Sequence, residues 1–294
     1  MESIKAGIRQ RALGNQLLSL ELTVAQVDSV SPGFTRVTLE GAALAGYTDP
    51  QAADAFKLML PANAGAAIEA PERDGSGLPA WSGETPQPVL RAFTVRLFDS
   101  AARRLAFDVA RHEQGVSIDW LASLRNGDTV ALTGMRPEWA LADGVTDHVL
   151  IGDRSAVPAI AAIIESLGAE HTISAYVELP DPADIAVLPQ HPNLTLREVA
   201  EIGGAVHDTP SSIAAGRRTQ VWIAAEAAQV RKIRAHATEV WGVDRADMLA
   251  RAYWKLGITS TDNDSAELVE YQRAIADGAD IYSPELAEAI ELGV

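Results

Sequence analysis

An arginine, an aromatic ring and a hydroxyl stand together in Arg91-Ala92-Phe93-Thr94-Val95, where a stretch rich in proline and glycine ends. If this segment is a strand, Arg91 and Phe93 share one face with Val95, and Thr94 points the other way. An arginine can bind a phosphate through two parallel hydrogen bonds. A phenyl ring can cover a planar cofactor, and a threonine can hydrogen-bond the edge of that cofactor. The alternative is an ordinary strand with Phe93 in the core.

A second group, Gly152-Asp153-Arg154-Ser155, lies between a short apolar strand and a helical pattern. The glycine permits a tight turn, and Asp153 or Ser155 can cap the helix. Arg154 adds a positive charge to this turn, which would favour a nucleotide phosphate if one binds there. Helix capping explains the aspartate and the serine equally well, so a structural and a cofactor-binding role both stay open. The chain has no Gly-x-Gly-x-x-Gly fingerprint.

Charged side chains that follow later strands could distinguish between the two nicotinamide nucleotides, NADH and NADPH, if one binds there. Glu178 ends the next strand and could accept a ribose hydroxyl, as in NAD sites. Arg231 and Arg234 could instead reach a 2′-phosphate, which leaves NADH and NADPH both open. Glu226 opens the last helix of this region, where placement of a charge for capping is the simpler account.

Composition excludes several classes of chemistry. The 294 residues contain no cysteine, which excludes disulfides, thiolate nucleophiles and cysteine-ligated zinc or iron–sulfur centres. The six histidines never fall four residues apart, so we expect no built-in metal site. The net charge of −16 argues against nucleic acid as a partner. Six basic residues nevertheless cluster between Arg231 and Lys255, either as a solvated helix face or as an anion-attracting surface.

No apolar run approaches the roughly 20 residues that span a bilayer, and the N-terminus has no apolar signal region. We therefore expect a cytoplasmic protein without membrane insertion.

The first third of the chain has the alternation and turn residues of short strands, which predict a small antiparallel barrel. The predicted strands are 20–27, 35–39, 56–60, 92–98, 104–110 and 129–133, with a loop-like stretch at 61–90. From about residue 140 strands and helices alternate, which predicts a parallel sheet with covering helices. Here the predicted strands are 148–151, 172–179, 194–199 and 221–225, with helices near 156–167 and 227–241.

These segments carry a resemblance to a known family. Arg91-Ala92-Phe93-Thr94 resembles the Arg-x-Tyr-Thr/Ser flavin-binding motif of the ferredoxin-reductase superfamily. More narrowly, the chain resembles the siderophore-interacting proteins, which are FAD-containing ferric-siderophore reductases. The matching stretches, in the expected order, are Arg36–Gly41 (RVTLEG), Lys57–Pro61 (KLMLP), Gly152–Ile160 (GDRSAVPAI), Trp222–Glu226 (WIAAE) and Tyr253–Gly257 (YWKLG).

The resemblance implies a two-domain fold: an antiparallel FAD-binding β-barrel of the ferredoxin-reductase type at residues 18–138, then a parallel-sheet α/β nicotinamide-binding domain at 145–262. An acidic helical tail follows at 263–294. The segment His112–Leu121 corresponds to a family pattern in which a glycine-rich turn leads into a short helix. Such a turn suits a pyrophosphate, because free backbone N–H groups and the helix dipole favour an anion.

This chain departs from the family pattern at two places. The spacing from His112 to Trp120 is one residue shorter, Val116 replaces a proline, and Ser117 stands where the family has alanine. A shift of one residue would let the Ser117 hydroxyl serve the phosphate. Phe93 replaces a tyrosine and so lacks one polar contact to the cofactor.

The resemblance and the motifs together give candidate cofactor-binding residues: Arg91, Ala92, Phe93, Thr94, Asp108, Val109, His112, Gly115, Val116, Ser117, Trp120, Gly152, Asp153, Arg154, Ser155 and Glu226. Arg251 and Lys255 are candidate substrate-binding residues. No catalytic side chain and no metal ligand is assigned.

The implied activity is reduction of FAD by NADPH or NADH, followed by single-electron transfer to a ferric siderophore and release of ferrous iron. Two alternatives stay open. One is a degenerate flavin- or siderophore-binding module without reductase activity, and the other is a flavin reductase with a different electron acceptor. The sequence makes no prediction about oligomeric state.

Overall fold

The computed structural model describes residues 2–15, 18–61, 68–69, 71–73, 75, 78–84, 86–207 and 209–293. The chain divides into two compact units. The first, here called the barrel, is Asn15–Glu138. The second, here called the sheet unit, joins Met1–Gly14 to Trp139–Val294, so the chain begins and ends in the same unit.

The barrel is built from antiparallel strands, as the alternating sequence pattern predicts. The strands are β1 Leu18–Ser31, β2 Phe34–Glu40, β3 Ala55–Leu60, β6 Val89–Thr94, β7 Leu97–Asp99, β8 Arg104–Ala110 and β9 Thr129–Arg136, with a separate pair β4 Glu72–Arg73 and β5 Pro79–Ala80. The seven strands outside that pair form one sheet in the order β6-β3-β9-β1-β2-β8-β7. The helix α2 Val116–Ser123 follows β8.

The sheet curls because its two edge strands are neighbours in the chain. Only Val95 and Arg96 separate β6 from β7, and the Arg96 N–H donates to the Ala106 carbonyl of β8 at 2.8 Å. The inward faces of the strands enclose a core in which Phe56 and Phe107 meet edge to face. The curled sheet and its apolar interior confirm the predicted barrel.

The single strand predicted at residues 92–98 is wrong. β6 ends at Thr94 and pairs with β3, whereas β7 begins at Leu97 and pairs with β8. The change of partner breaks the strand at Val95 and Arg96, and nothing in the local alternation marks it. Part of the predicted loop at 61–90 lies outside the described residues, and the remainder contains the β4–β5 pair and the start of β6.

The sheet unit is a parallel sheet with helices, as the strand–helix alternation predicts. Its order is β12-β11-β10-β13-β14, and every neighbouring pair is parallel. The strands are β10 Asp147–Gly152, β11 Thr172–Val177, β12 Leu194–Glu198, β13 Thr219–Glu226 and β14 Met248–Trp254. The helices are α1 Ile4–Gly14, α3 Val157–Ser166, α4 Ser211–Ala214, α5 Ala227–Glu239, α6 Ser260–Ala276 and α7 Pro284–Leu292.

This strand order has its switch point between β10 and β13, where ligands of such sheets bind beyond the carboxyl ends of the strands. β10 is buried along its whole length and β13 almost so, which is typical of central parallel strands. β14 was not predicted, because its segment Met248–Trp254 carries Arg251, one of the basic residues that suggested a charged surface. No described helix combines the length and apolar character needed to cross a membrane.

Candidate functional site

On the barrel, the predicted arginine–aromatic–threonine group lies on β6, an edge strand. Arg91 is half-buried and donates from Nη1 to the Leu90 carbonyl at 2.7 Å. Phe93 is also half-buried, with its ring centroid 4.9 Å from that of Phe107. Thr94 is buried and Ala92 is exposed. Phe93 therefore closes the core with part of its ring and keeps the rest exposed, so both predicted roles of this residue have a structural basis.

Two candidate residues on β8 are committed to the barrel itself. The buried Asp108 carboxylate accepts from Arg36 Nε at 2.7 Å and Nη2 at 2.8 Å, a bidentate ion pair across to β2. The Val109 side chain lies in the core. A ligand can reach these two residues only through main-chain atoms, so we withdraw both side chains from the candidate cofactor site.

The turn before α2 has an open set of amide donors. Gly115 adopts φ +146°, and a Cβ there would lie 2.7 Å from His112 Cε1, so the position requires glycine. The Gly115 carbonyl accepts from the N–H groups of Ile118 and Asp119. Among the described residues, no acceptor is found for the N–H groups of Val116 and Ser117, and no side chain caps this helix.

The surroundings of these amides are open on the surface side and packed on the other. His112 and Val116 are exposed, while Trp120 is half-buried and stacks at 6.4 Å on Phe107 of the core. Trp120 therefore anchors α2 to the barrel and fixes where its first turn points. Unpaired N–H groups at a helix start, with the positive end of the helix dipole, form a site for an anion such as a pyrophosphate.

On the sheet unit, Asp153 joins the carboxyl ends of three strands. Its Oδ1 accepts from the Ser155 N–H at 2.8 Å and from the Ser155 hydroxyl at 2.5 Å. Its Oδ2 accepts from the Glu226 N–H at 3.1 Å and from Trp254 Nε1 at 2.7 Å. The carboxylate is buried and its four hydrogen bonds are internal, so we assign Asp153 and Ser155 to the framework of the edge and withdraw their side chains from the ligand contacts.

The glycine of this group has a packing reason. A Cβ on Gly152 would lie 2.5 Å from Ala156 Cβ and 2.9 Å from Ile160 Cδ1, so only glycine lets the strand turn directly into the helical segment. Arg154 opens the 3₁₀ turn Arg154–Ala156 and is half-buried. In the part of the chain that the structure describes, its guanidinium has no carboxylate partner. Arg154 is the charged candidate at this turn that stays available to a nucleotide.

The two glutamates at the edge are occupied by backbone donors. Glu226 Oε2 accepts from the N–H groups of Ala228 and Gln229, and so caps α5. Its Oε1 accepts from the Leu256 N–H at 3.2 Å. Glu178 Oε2 accepts from the Ile202 N–H at 2.7 Å. Capping is thus what Glu226 does, whereas Glu178 uses only one carboxylate oxygen in this way and stays a candidate acceptor for a ribose hydroxyl.

Half of the basic cluster contacts α7. Arg251 is 4% exposed and forms a 2.7 Å ion pair with the buried Glu291. Arg231 donates to the Leu292 carbonyl, and Arg234 lies 3.6 Å from Glu288. These contacts hold Arg251 inside the sheet unit, whereas Arg231 stays exposed and Arg234 half-buried. The contacts predicted for them with a siderophore or a 2′-phosphate stay predictions.

Lys255 differs from its neighbours in the basic cluster. It is half-buried at the end of β14, with Nζ 3.7 Å from Glu267 Oε1. This distance is longer than a hydrogen bond, so the ammonium keeps free donors. Of the two residues predicted to meet a substrate, Lys255 stays a candidate.

Two family models match the chain in register with these units. The model of the siderophore-interacting FAD-binding domain matches residues 23–139, and the model of the siderophore-interacting protein matches residues 145–257. The chain belongs to the siderophore-interacting protein family. The predicted resemblance is thereby confirmed.

Relatives of known name support the same family. The chain is 31% identical over 156 residues to a ferric vibriobactin reductase, ViuB, of Vibrio cholerae, covering 53% of this chain and 56% of that protein. It is 31% identical over 172 residues to an NADPH-dependent ferric-chelate reductase of Escherichia coli, covering 58% of this chain and 66% of that protein. The matches thus span between half and two thirds of these relatives.

A solved structure of the family has the same fold over most of its length. The siderophore utilization protein of T. fusca superimposes with a TM-score of 0.71 at 26% identity, covering 84% of this chain and 97% of that one. The antiparallel barrel followed by a parallel α/β sheet is therefore confirmed as the fold class.

Because the model that matches the barrel describes an FAD-binding domain, FAD is the cofactor of this unit. The residues present fit that cofactor at one point above all. Among the described residues the amides of Val116 and Ser117 have no acceptor, and they directly follow Gly115, whose positive φ forms the turn. Arg91 and the exposed part of Phe93 are the side chains of β6 that can meet the rest of the cofactor.

Trp254 lies at the carboxyl edge of the sheet, and no role was predicted for it from the sequence. It is 43% exposed, and its only polar atom is bound to Asp153. The indole is thus fixed at one edge while its faces stay accessible. The Tyr-Trp-Lys-Leu-Gly match contained this residue, but its place at the carboxyl edge follows only from β14.

Proposed function

We propose that this chain is an FAD-dependent oxidoreductase that uses NADH or NADPH to reduce a ferric siderophore, releasing ferrous iron. Membership of the siderophore-interacting family supports this proposal, as do the names of the two reductases to which it is similar. The observation that carries it is the pair of open amides after Gly115, inside a matched FAD-binding domain.

In the barrel, the role of the protein is to bind and orient. The first turn of α2 would hold the pyrophosphate through the N–H groups of Val116 and Ser117. The Arg91 guanidinium would pair with a phosphate, and the exposed part of Phe93 would lie against the ring system. When bound, FAD would supply the redox chemistry, which couples the two-electron oxidation of a nicotinamide to the one-electron reduction of iron.

In the sheet unit, the turn after β10 would bind the second nucleotide. Gly152 brings the backbone close, and Arg154 places a positive charge there. Lys255 would attract an anionic ferric chelate. Iron(II) binds siderophores far more weakly than iron(III), so reduction is sufficient for release. Because nicotinamide nucleotides are cytoplasmic reductants, we infer a cytoplasmic location.

The first test of the flavin site is Gly115→Ala. The added methyl group would meet His112 at a backbone conformation that alanine rarely adopts, and the turn would shift away from its open amides. We expect FAD affinity to fall by about tenfold or more, since charge-assisted contacts to phosphate are lost. The measurement is the dissociation constant from quenching of flavin fluorescence.

Gly127→Ala is the matched control for this variant. Gly127 also has a positive φ, +93°, in the same unit, but no atom lies within 4 Å of the added Cβ. Its FAD affinity should stay near that of the unaltered protein. An unchanged FAD affinity in Gly115→Ala would show that the turn before α2 does not bind the cofactor.

The activity itself is tested by absorption spectra under nitrogen. Protein loaded with FAD should lose its yellow colour on addition of NADH or NADPH and regain it when a ferric siderophore is added. A chelator specific for iron(II) should then report two ferrous ions for each nucleotide oxidised, because each hydride carries two electrons. Protein that takes up no FAD would refute the proposal.

A non-catalytic binding module is the second candidate. It is favoured by the shortened segment from His112 to Trp120 and by the packing of Phe93 against Phe107. The same spectra separate the two functions. A flavin that neither nucleotide bleaches, in a protein that binds a ferric siderophore tightly, would identify the module. Bleaching followed by reoxidation with a quinone but with no siderophore would point to another electron acceptor.

A further inference from the structure

The sheet unit contains a cavity away from the carboxyl edge of its strands. It has a volume of about 460 Å³, within the range of small-molecule sites. Four segments form it: α1, α5, the 3₁₀ turn Arg245–Asp247 and α7. The lining residues are Lys5, Arg234, Arg245, Ala246, Glu285, Glu288 and Ala289.

One carboxylate of the cavity is already fully used. The buried Glu288 accepts from the buried Lys5 Nζ at 2.9 Å through Oε2, and from the Ala250 N–H at 3.0 Å through Oε1. The second carboxylate, Glu285, is mostly exposed and lies 4.0 Å from Lys5. Glu288 therefore holds α1 and α7 to the sheet and has little capacity for further cations.

Two guanidinium groups of the cavity have unused donors. Arg234 Nε is buried, lies 3.6 Å from Glu288 Oε2, and has no hydrogen-bond acceptor among the described residues. Arg245 is exposed, and within the same part of the chain it has no carboxylate partner. Because Nε is closed off from solvent, the terminal Nη groups of Arg234 are the part that lines the cavity, and no described residue supplies them with an acceptor. An anion in the cavity would accept hydrogen bonds from these groups and from Arg245.

The charges of the lining favour an anion as well. Three cations face two carboxylates, an excess of positive charge in a chain of net charge −16. The helices α1 and α7, which close the cavity, lie outside residues 23–139 and 145–257, the parts matched by the family models. The turn Arg245–Asp247 precedes β14, so the cavity lies towards the amino end of that strand, whereas Lys255 of the proposed siderophore site follows its carboxyl end.

We propose that this cavity binds a small oxyanion, a carboxylate or a phosphate, through the terminal guanidinium nitrogens of Arg234 and the guanidinium of Arg245. The proposal is independent of the redox function. Isothermal titration with citrate and with inorganic phosphate, at constant ionic strength set with sodium chloride, tests it. Saturable binding of either anion is expected, and the tighter of the two identifies which oxyanion the cavity prefers.

The variants are Arg245→Gln and Arg234→Gln, with Lys232→Gln as the matched control. Lys232 is an exposed residue of α5 outside the lining, so its substitution removes the same charge from the same unit. The arginine variants should weaken binding by about tenfold, and the control by less than about twofold. Absence of binding in the unaltered protein, or equal losses in all three variants, would overturn the proposal. Arg245 is on the surface, so its variant will fold even if the one at Arg234 does not.

Discussion

His148 is a buried imidazole next to another, with Nε2 2.8 Å from His171 Nδ1. Burial and the neighbouring His171 lower the pKa of His148 from 6.5 to about 3. The His148 ring therefore takes up a proton near pH 6.5 in the unfolded chain, but only near pH 3 in the folded chain. The stability contributed by the neutral ring is present above pH 6.5 and is lost as the pH falls towards 3.

The lowered pKa of His148 predicts that the pH dependence of the free energy of unfolding comes largely from one side chain. Lowering the pH from 7 to 5 should cost about 2 kcal/mol through His148. His148→Gln does not titrate and should lose most of that slope in urea unfolding, whereas His112→Gln, at an exposed position, should keep it. Identical slopes in His148→Gln and the unaltered protein would show that another group takes up the proton.

The site residues show how far single positions can be read from sequence. Gly115 and Gly152 were recognisable, because a glycine at a turn into a helix signals close approach of the backbone. Asp108 and Arg251 were predicted as ligand contacts, but the sequence did not show that each pairs with a residue distant in sequence, Arg36 and Glu291. A pairing across 40 or more positions leaves no local trace, so the charge alone suggested a ligand.

At the element scale, Asp153 connects the ends of β10, β13 and β14 through one carboxylate. Asp153→Ala would leave Trp254 Nε1 and the Glu226 N–H without their acceptor, at a cost of about 2–4 kcal/mol. Tryptophan emission should also change, and the change should be absent in a Trp254→Phe background. Asp181→Ala, which removes a single exposed capping bond to Ala183, should cost about 1 kcal/mol. Equal losses in the two variants would contradict the linking role.

The elements themselves were predicted best where the period was regular. β2, β8 and α3 follow from alternation or helical spacing alone, and their positions agree with the structure. β14 and α1 could not be predicted from these patterns, because buried ion pairs let an arginine and a lysine occupy positions that usually hold apolar side chains. The break between β6 and β7 comes from a change of partner strand, which is a property of the whole sheet.

At the scale of the whole molecule, net charge should govern how an anionic chelate approaches. The chain carries −16, and four members of its basic cluster, Arg231, Arg234, Arg251 and Lys255, lie beside acidic or carbonyl oxygens. Long-range repulsion is therefore not offset by a strong local field. Screening by salt should raise the rate of encounter.

The measurement is the second-order rate constant for reoxidation of reduced protein by an anionic ferric siderophore at increasing sodium chloride. We expect the rate constant to rise with ionic strength, and that for an uncharged acceptor to stay flat. A rate constant that falls with salt would show that Lys255 and Arg154 outweigh the global charge.

The pairing of Lys5 with Glu288 also bears on biosynthesis. The two residues are 283 positions apart, and the whole barrel is encoded between α1 and the remainder of the sheet unit. During translation the barrel can complete its core while Lys5 of α1 still lacks its acceptor on α7. The α/β half can therefore bury this lysine in its ion pair only after Glu288 has been synthesised.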